Sequence, residues 1–95
     1  MKDILLINIF GTNKRAIING VTEIFVAFDV TVLDIGQAVI HDQLNLGILV
    51  AAPQGEKISF LIEALKTNTE QLDMRINCLS ISPQHYQHWV EKQGK

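Results

Sequence analysis

The most restrictive feature of this sequence is that the spacing of its apolar residues changes repeatedly along the chain. Residues 4–10, ILLINIF, are nearly all apolar and stop at Gly11, which is typical of a central strand buried on both faces. From Lys14 the apolar residues recur at helical spacing, and this spacing returns after the break at 53–55. The sequence therefore predicts strands near residues 4–10, 30–41, 44–52 and 73–81 and helices near 14–28 and 56–69.

This order of elements predicts an α+β domain of the ferredoxin-like βαββαβ type, an antiparallel sheet with two helices on one face. Right-handed crossovers place strands one and three at the centre and strands two and four at the edges. We expect residues 1–82 to form this domain. Residues 83–95 are expected to form a C-terminal helix or linker toward a following domain, because Ser82 suits a helix cap and Pro83 the first helical position.

Composition narrows the class of protein. Ninety-five residues suit one domain, and an apolar share of 47% is that of a globular chain. A net charge of −2 argues against a nucleic-acid partner, since phosphate binding depends on clustered Lys and Arg. The apolar runs are too short to span a bilayer, so no membrane partner is expected. A single cysteine, Cys78, gives no sign of an oxidising compartment, and we expect a cytoplasmic protein.

The second predicted strand carries polar residues and a glycine in its middle. Leu33 and Ile35 occupy odd positions, whereas Ala38 and Ile40 occupy even ones, so the apolar face changes midway. A β-bulge at Gly36-Gln37 would produce this one-residue slip. Asp34 and Gln37 would then lie near an irregularity on an edge strand, where a ligand or partner can approach. The alternative is that both side chains simply face water.

The segment VLDIGQAVIHDQLNLGILV, residues 32–50, resembles the second and third strands of the N-terminal ACT domain of bacterial phosphoserine phosphatases. The likeness covers essentially the whole chain, and DIGQAVIHD is its most specific part. The resemblance implies a regulatory domain that senses an amino acid, L-serine or a related metabolite, in an enzyme of serine biosynthesis. It also implies a homodimer that contacts the catalytic domain of the parent enzyme.

The resemblance further implies a ligand site between the first loop of one subunit and its neighbour. The family's loop typically reads Gly-x-Asp-Arg-Pro-Gly, and its counterpart here runs from Gly11 to Ala16, GTNKRA, in which only the first glycine is kept. A helix start of this kind can bind an anion. We therefore expect the ligand carboxylate to bind near Gly11, Thr12, Asn13 and Lys14. Its ammonium group is expected to meet Asp34 or Gln37 of the neighbouring subunit. The alternative is that Lys14 and Arg15 form only a basic turn that faces water.

Catalytic chemistry is not expected of this chain. The parent enzymes use an Asp-x-Asp-x-Thr nucleophile motif, which does not occur in the 95 residues. No cofactor or metal is expected here, although the resemblance implies Mg²⁺ for the parent catalytic domain. His85 and His88 are three residues apart on the predicted tail helix, but two histidines without further ligands make a poor zinc site.

Two other functions stay open from the sequence. The altered first loop favours an interaction module that only dimerises, and an ACT domain of another amino-acid-responsive regulator is a further alternative. Self-association is expected in either case. Leu6, Phe10 and Ile76 are predicted to lie on the sheet face opposite the helices, and the edge strand carries few charges that would prevent pairing.

Overall fold

The computed structural model describes residues 3–12, 15–52 and 56–81 of the chain. Its elements confirm the predicted order and agree with the predicted bounds to within about two residues, as sequence patterns allow. The strands and helices are β1 (Asp3–Thr12), α1 (Arg15–Ala27), β2 (Thr31–Ile40), β3 (Gln43–Ala52), α2 (Glu56–Gln71) and β4 (Arg75–Ile81). The tail helix predicted for residues 83–95 lies outside the described residues.

The four strands form one antiparallel sheet in the order β2-β3-β1-β4. The longest ladder joins β1 to β3 from the pair Asp3–Ala52 to the pair Thr12–Gln43. On the other side of β1, β4 pairs from Ile4–Ile81 to Phe10–Arg75. Strands one and three are therefore central and strands two and four are edges, as predicted.

Both helices pack on one face of this sheet. Ile17, Val21 and Phe25 of α1 and Leu61 and Leu65 of α2 are buried in the main core. They meet alternate residues of the central strands there, namely Leu5, Ile7, Ile9, Leu44, Leu46, Ile48, Val50 and Ala52. Burying each large side chain of this kind stabilises the fold by roughly 1.5–3 kcal/mol. The apolar side of each helix and the apolar face of the central strands therefore form one core layer.

The sheet face opposite the helices carries a second, smaller apolar group. We call it the open-face cluster; it consists of Ile4, Leu6, Leu33, Leu49, Ala51 and Ile81. The prediction that Ile76 shares this face is wrong. Ile76 pairs with Ile9 and packs against the main core, because the register of β4 places Arg75 opposite Phe10.

The irregularity in β2 lies at Leu33, so the prediction of a bulge at Gly36-Gln37 is wrong. Val32 pairs with Val50 and Asp34 with Leu49, which leaves Leu33 as the extra residue, whereas Gly36 pairs regularly with Gly47. The bulge allows Leu33 to pack in the open-face cluster. The spacing of apolar residues predicted the wrong position for the bulge because most of β2 is exposed on both faces. The pattern in this strand therefore carried little information about burial.

Both helices end in the same backbone motif, with an aspartate where a glycine is common. After α1, Val30 N–H donates to the Phe25 carbonyl at 2.9 Å and Asp29 N–H to the Val26 carbonyl at 3.3 Å. After α2, Met74 and Asp73 repeat this pattern onto Thr69 and Glu70 at 2.9 and 3.1 Å. Asp29 and Asp73 both have φ of 56°, the left-handed conformation of a Schellman cap.

Candidate functional site

The end of the sheet at which β1 finishes contains an open depression of about 340 Å³. It is lined by Phe10, Gly11, Thr12, Gln43, Asp73 and Arg75. The strand register brings these residues together, since Thr12 pairs with Gln43 and Phe10 with Arg75. Asp73 joins them from the turn after α2. The volume is at the lower end of the ~300–1,000 Å³ of small-molecule pockets, which favours a small ligand.

The lining combines opposite charges with a hydroxyl, an amide and an aromatic ring. Arg75 offers planar donors that suit a carboxylate or a phosphate. Asp73 can accept from an ammonium group, and Thr12 and Gln43 add neutral hydrogen-bonding groups. Phe10, with 38% of its surface exposed, provides an apolar wall. A small zwitterion would match both charges at once.

Gly11 is required by the backbone at this place. Its φ is 152°, and a Cβ built on it would lie 3.2 Å from both Cα and Cγ of Met74. A side chain at position 11 would therefore strain the backbone and press on the start of β4. Gly11 keeps β1 close to the turn that carries Asp73 and Arg75.

The structure describes four of the six sequence-predicted site residues and places them in different regions. Gly11 and Thr12 line the depression. Asn13 and Lys14 lie outside the described residues. Asp34 pairs with Leu49, six residues along β3 from Gln43, which is roughly 20 Å away at the usual strand rise. A single chain thus does not bring Asp34 to the depression, and its contact with a ligand bound to a neighbour stays a prediction.

Asp34 and Gln37 also lie on opposite faces of the sheet. Asp34 pairs with Leu49 of the open-face cluster, whereas Gln37 pairs with Leu46 of the main core. The Asp34 carboxylate accepts a hydrogen bond from the Ile35 N–H at 2.9 Å, next to the bulge. The hydrogen bond of Asp34 is thus made within its own strand. Because Asp34 and Gln37 lie on opposite faces, a ligand ammonium group on one side of the sheet would contact only one of them.

Sequence reasoning missed Phe10, Gln43, Asp73 and Arg75. A signal was present for Gln43, because it begins β3, and antiparallel pairing of the two central strands brings the start of β3 beside the end of β1. Asp73 and Arg75 carried a weaker signal, since acids and bases near a helix end are common on any surface. Only the register between β1 and β4 brings them to Gly11 and Thr12.

The described residues also bear on metal binding, thiol reactivity and membrane crossing. Among them, no group of three or more His, Cys, Asp or Glu side chains is arranged to hold a metal ion. Burial raises the pKa of the Cys78 thiol, and the nearby charge of Lys66 offsets this in part. A raised pKa lowers the fraction of the reactive thiolate. None of the described helices is long and apolar enough to cross a bilayer.

Comparisons with known proteins agree with this architecture. The sequence profile of the ACT domain matches residues 3–78, so the chain belongs to the ACT domain family. A comparison with curated protein sequences gave no match. An ACT domain protein from Streptococcus pneumoniae is similar in structure, with a TM-score of 0.71 at 20% identity over 84% of this chain and 91% of that one.

Two similar structures belong to longer proteins. One is described as a putative glycine cleavage system transcriptional repressor, with a TM-score of 0.78 at 20% identity over 87% of this chain and 48% of that one. The other is a formyltetrahydrofolate deformylase from Burkholderia mallei, with a TM-score of 0.72 at 7% identity over 82% of this chain and 28% of that one. The chain therefore spans half or less of these two proteins, and the likeness at such identities shows the fold alone.

Proposed function

We propose that this ACT domain is a regulatory module that binds a small amino acid in the depression at the end of β1. The observation that carries the proposal is the pair Asp73 and Arg75, which the sheet register places beside Gly11 and Thr12. An α-amino acid presents a carboxylate and an ammonium group a few ångströms apart. A site with one acid and one base meets both groups without leaving a charge unpaired.

In this arrangement Arg75 binds the ligand carboxylate and Asp73 accepts from its ammonium group. Thr12 and the backbone after Gly11 add hydrogen bonds at the start of α1, where the helix dipole favours an anion. The ligand side chain faces Phe10 and must be small to fit the volume. Because the depression is open, we also propose that a second copy of the chain completes it, with Asp34 or Gln37 as the contributed contact.

The test is calorimetric titration of the protein with a panel of amino acids that includes L-serine and glycine. Arg75→Gln and Asp73→Asn each remove a charge-assisted contact worth roughly 1.5–3 kcal/mol, so each should weaken binding about tenfold or more. Asp29→Asn is the matched control for Asp73, because Asp29 ends α1 in the same motif and does not line the depression. Lys57→Gln, at the far end of α2, controls for the loss of a positive charge.

The two controls should keep the affinity of the parent protein. Equal affinity of the parent, Arg75→Gln and Asp73→Asn would show that the amino acid binds elsewhere. Asp34→Ala tests whether a second subunit contributes a contact to the bound amino acid. A loss of affinity comparable to that of Asp73→Asn supports the shared site, whereas unchanged affinity removes Asp34 from it.

A second candidate is an interaction module without a ligand. It is favoured by β2, which pairs only with β3 among the described strands and exposes several large apolar side chains. These are Val32, Ile35, Val39 and Ile40, each 45% exposed or more. A stable dimer that binds no amino acid of the panel would support this function over amino-acid sensing.

The proposal extends to the longer protein that would contain this domain. The resemblance of residues 32–50 supports a phosphoserine phosphatase of serine biosynthesis, acting in the cytoplasm, with L-serine as ligand and the catalytic domain as partner. An amino-acid-responsive regulator of another kind is the alternative, and the glycine cleavage repressor contains a domain of this fold. Selectivity for L-serine over glycine in the titration favours the first parent, and the reverse selectivity favours the second.

A further inference from the structure

Strand β2 carries a row of apolar side chains that neither described helix covers. Val32, Ile35 and Val39 pair with buried core residues of β3, so their side chains lie on the helix side of the sheet. They are nevertheless 45%, 56% and 51% exposed, whereas their partners on β3 are each 2% exposed or less. The core layer thus ends one strand before the edge of the sheet, and the row on β2 is open to another surface.

The backbone groups at the open edge of β2 belong to the same stretch. His41 and Asp42 have φ of 49° and 68°, so the two-residue loop after Ile40 is a type I′ hairpin turn. Ile40 and Gln43 close this turn as a hydrogen-bonded pair, and such pairs alternate along an antiparallel ladder. Even-numbered residues from 34 to 40 therefore bond to β3. Residues 35, 37 and 39 direct their N–H and C=O groups to the open edge, which has no described partner strand.

We propose that this edge binds the same edge of a second copy of the chain, antiparallel and in one register, with Gln37 of each copy on the two-fold axis. In a two-fold contact, residue i meets residue j and j meets i. With Gln37 opposite itself, Ile35 lies opposite Val39 on both sides of the axis. Two apolar pairs then flank two amides that can hydrogen-bond to each other.

Neighbouring registers match these side chains less well. Opposite residues must share a face of the sheet, so the axis can move only by whole residues along β2. An axis at Gly36 would place Ile35 opposite Gln37, and an axis at Ala38 would place Gln37 opposite Val39. Each of these registers sets an amide against an apolar side chain and leaves it without a polar partner across the contact.

Charge and area also agree with a second copy as the occupant. Asp34 is the only charged residue of β2. In the proposed register it lies opposite Ile40 and roughly 20 Å from its own counterpart, so like charges do not meet. One strand edge buries less than the roughly 800 Å² per partner of a standard interface. The association should therefore be reversible and dependent on protein concentration.

The register also decides which residue a second copy can bring toward the depression, a step that rests on the proposed function. Ile40 pairs with Gln43, and Gln43 pairs with Thr12. Asp34 of the second copy, opposite Ile40, thus lies on the same face and two strand spacings from Gln43, roughly 10 Å. Gln37 lies at the axis on the other face of the sheet. Asp34, and not Gln37, is therefore the residue of a second copy that approaches the bound amino acid.

Disulfide cross-linking of single-cysteine variants tests the register without a ligand. Cys78→Ser removes the native thiol and serves as the background, with its fold checked by circular dichroism. Gln37→Cys places two thiols opposite each other in a hydrogen-bonded pair, where the Cα atoms are ~5.5 Å apart, a distance that a disulfide spans. We expect a mild oxidant to convert this variant to a covalent dimer. The background protein should stay monomeric on a non-reducing gel.

Gly36→Cys is the matched control, because a Cβ at Gly36 would meet nothing within 4 Å and the side chain therefore fits. In the proposed register the two copies of residue 36 are diagonal neighbours ~7–8 Å apart, so this variant should cross-link several-fold more slowly. Equal or faster cross-linking of Gly36→Cys would overturn the register. Absence of cross-linking in both variants would overturn the edge contact itself, whereas amino-acid binding by a single chain is judged separately by calorimetry.

Discussion

At the scale of single residues, the aspartates that follow the two helices occupy positions that glycine would fill with less strain. Asp29 and Asp73 adopt the left-handed conformation at the ends of α1 and α2, with φ of 56° in each case. A residue with a Cβ is disfavoured there, although Asp tolerates the conformation better than most residues. A negative charge at a helix C-terminus also opposes the helix dipole. Asp73 lines the depression, whereas Asp29 has the same conformation and does not.

Asp29→Gly should increase the free energy of unfolding by about 1 kcal/mol, because it removes both the backbone strain and the unfavourable charge. Urea denaturation followed by circular dichroism measures the change. Asp29→Asn separates the two causes, since it removes the charge and keeps the Cβ. A decrease in stability for Asp29→Gly would mean that the Asp29 side chain makes a contact that outweighs the strain.

At the scale of secondary-structure elements, the two helices approach closely at Gly20. A Cβ built on Gly20 would lie 2.7 Å from Nδ2 and 2.8 Å from Cγ of Asn68, so the amide of α2 occupies the space beside α1. The Asn68 Nδ2 is buried and has no hydrogen-bond partner among the described residues. A buried, unpaired amide is unfavourable, and the contact combines close packing with an unsatisfied polar group.

Gly20→Ala should lower the free energy of unfolding by about 1 kcal/mol, although alanine favours a helix by about that amount over glycine. The expected loss arises because the new methyl group overlaps the Asn68 amide. In an Asn68→Ala background the same substitution should instead stabilise the protein by about 0.5–1 kcal/mol, since only the helix preference is left. Denaturation of the four proteins forms a double-mutant cycle. Additive effects would show that the Asn68 side chain moves aside freely.

The helices and strands were largely predictable from the sequence, because the spacing of apolar residues within each element shows which side it buries. Ile7 and Ile9 alternate with partly exposed neighbours, and Ile17, Val21 and Phe25 recur at helical spacing, because each set meets one core. The bulge in β2 was not predictable from the same signal. Its position at Leu33 depends on which apolar residues of an exposed strand can reach the open-face cluster, and that is decided by the whole sheet.

At the scale of the whole molecule, the edge of β2 is the described surface at which we expect a second copy to bind. Ile35 and Val39 are 56% and 51% exposed on a strand whose outer hydrogen-bonding groups have no described partner strand. Antiparallel pairing of two such edges would bury these side chains and extend the sheet.

Ile35→Lys should convert the expected dimer to a monomer without loss of the fold, because the Ile35 side chain is more than half exposed in the single chain. Sedimentation equilibrium measures the association. Val26→Lys is the control, since Val26 is 79% exposed and belongs to α1 instead of β2. A dimer that persists in Ile35→Lys would place the interface elsewhere, and a parent protein that is monomeric at high concentration would exclude self-association.

Two of the six residues that line the candidate site, Gly11 and Thr12, were predicted from the sequence. Gly11 and Thr12 follow directly from the end of a strand that leads into a helix. Asp73 and Arg75 are more than sixty positions away in the sequence, and their proximity depends on how β4 aligns with β1. An alignment of two strands that are not joined by a hairpin is a property of the packed sheet, and short-range patterns do not encode it.

The pairing of Ile4 with Ile81 has a consequence for how such a domain could influence an attached protein. The polypeptide enters and leaves the sheet at one pole, whereas the depression beside Gly11 lies at the other, roughly 23 Å along β1. A densely packed sheet of this length does not deform gradually from end to end. If the proposed function holds, an effector bound at the far end would act on an attached unit by moving the domain as a rigid body, without gradual deformation of the sheet.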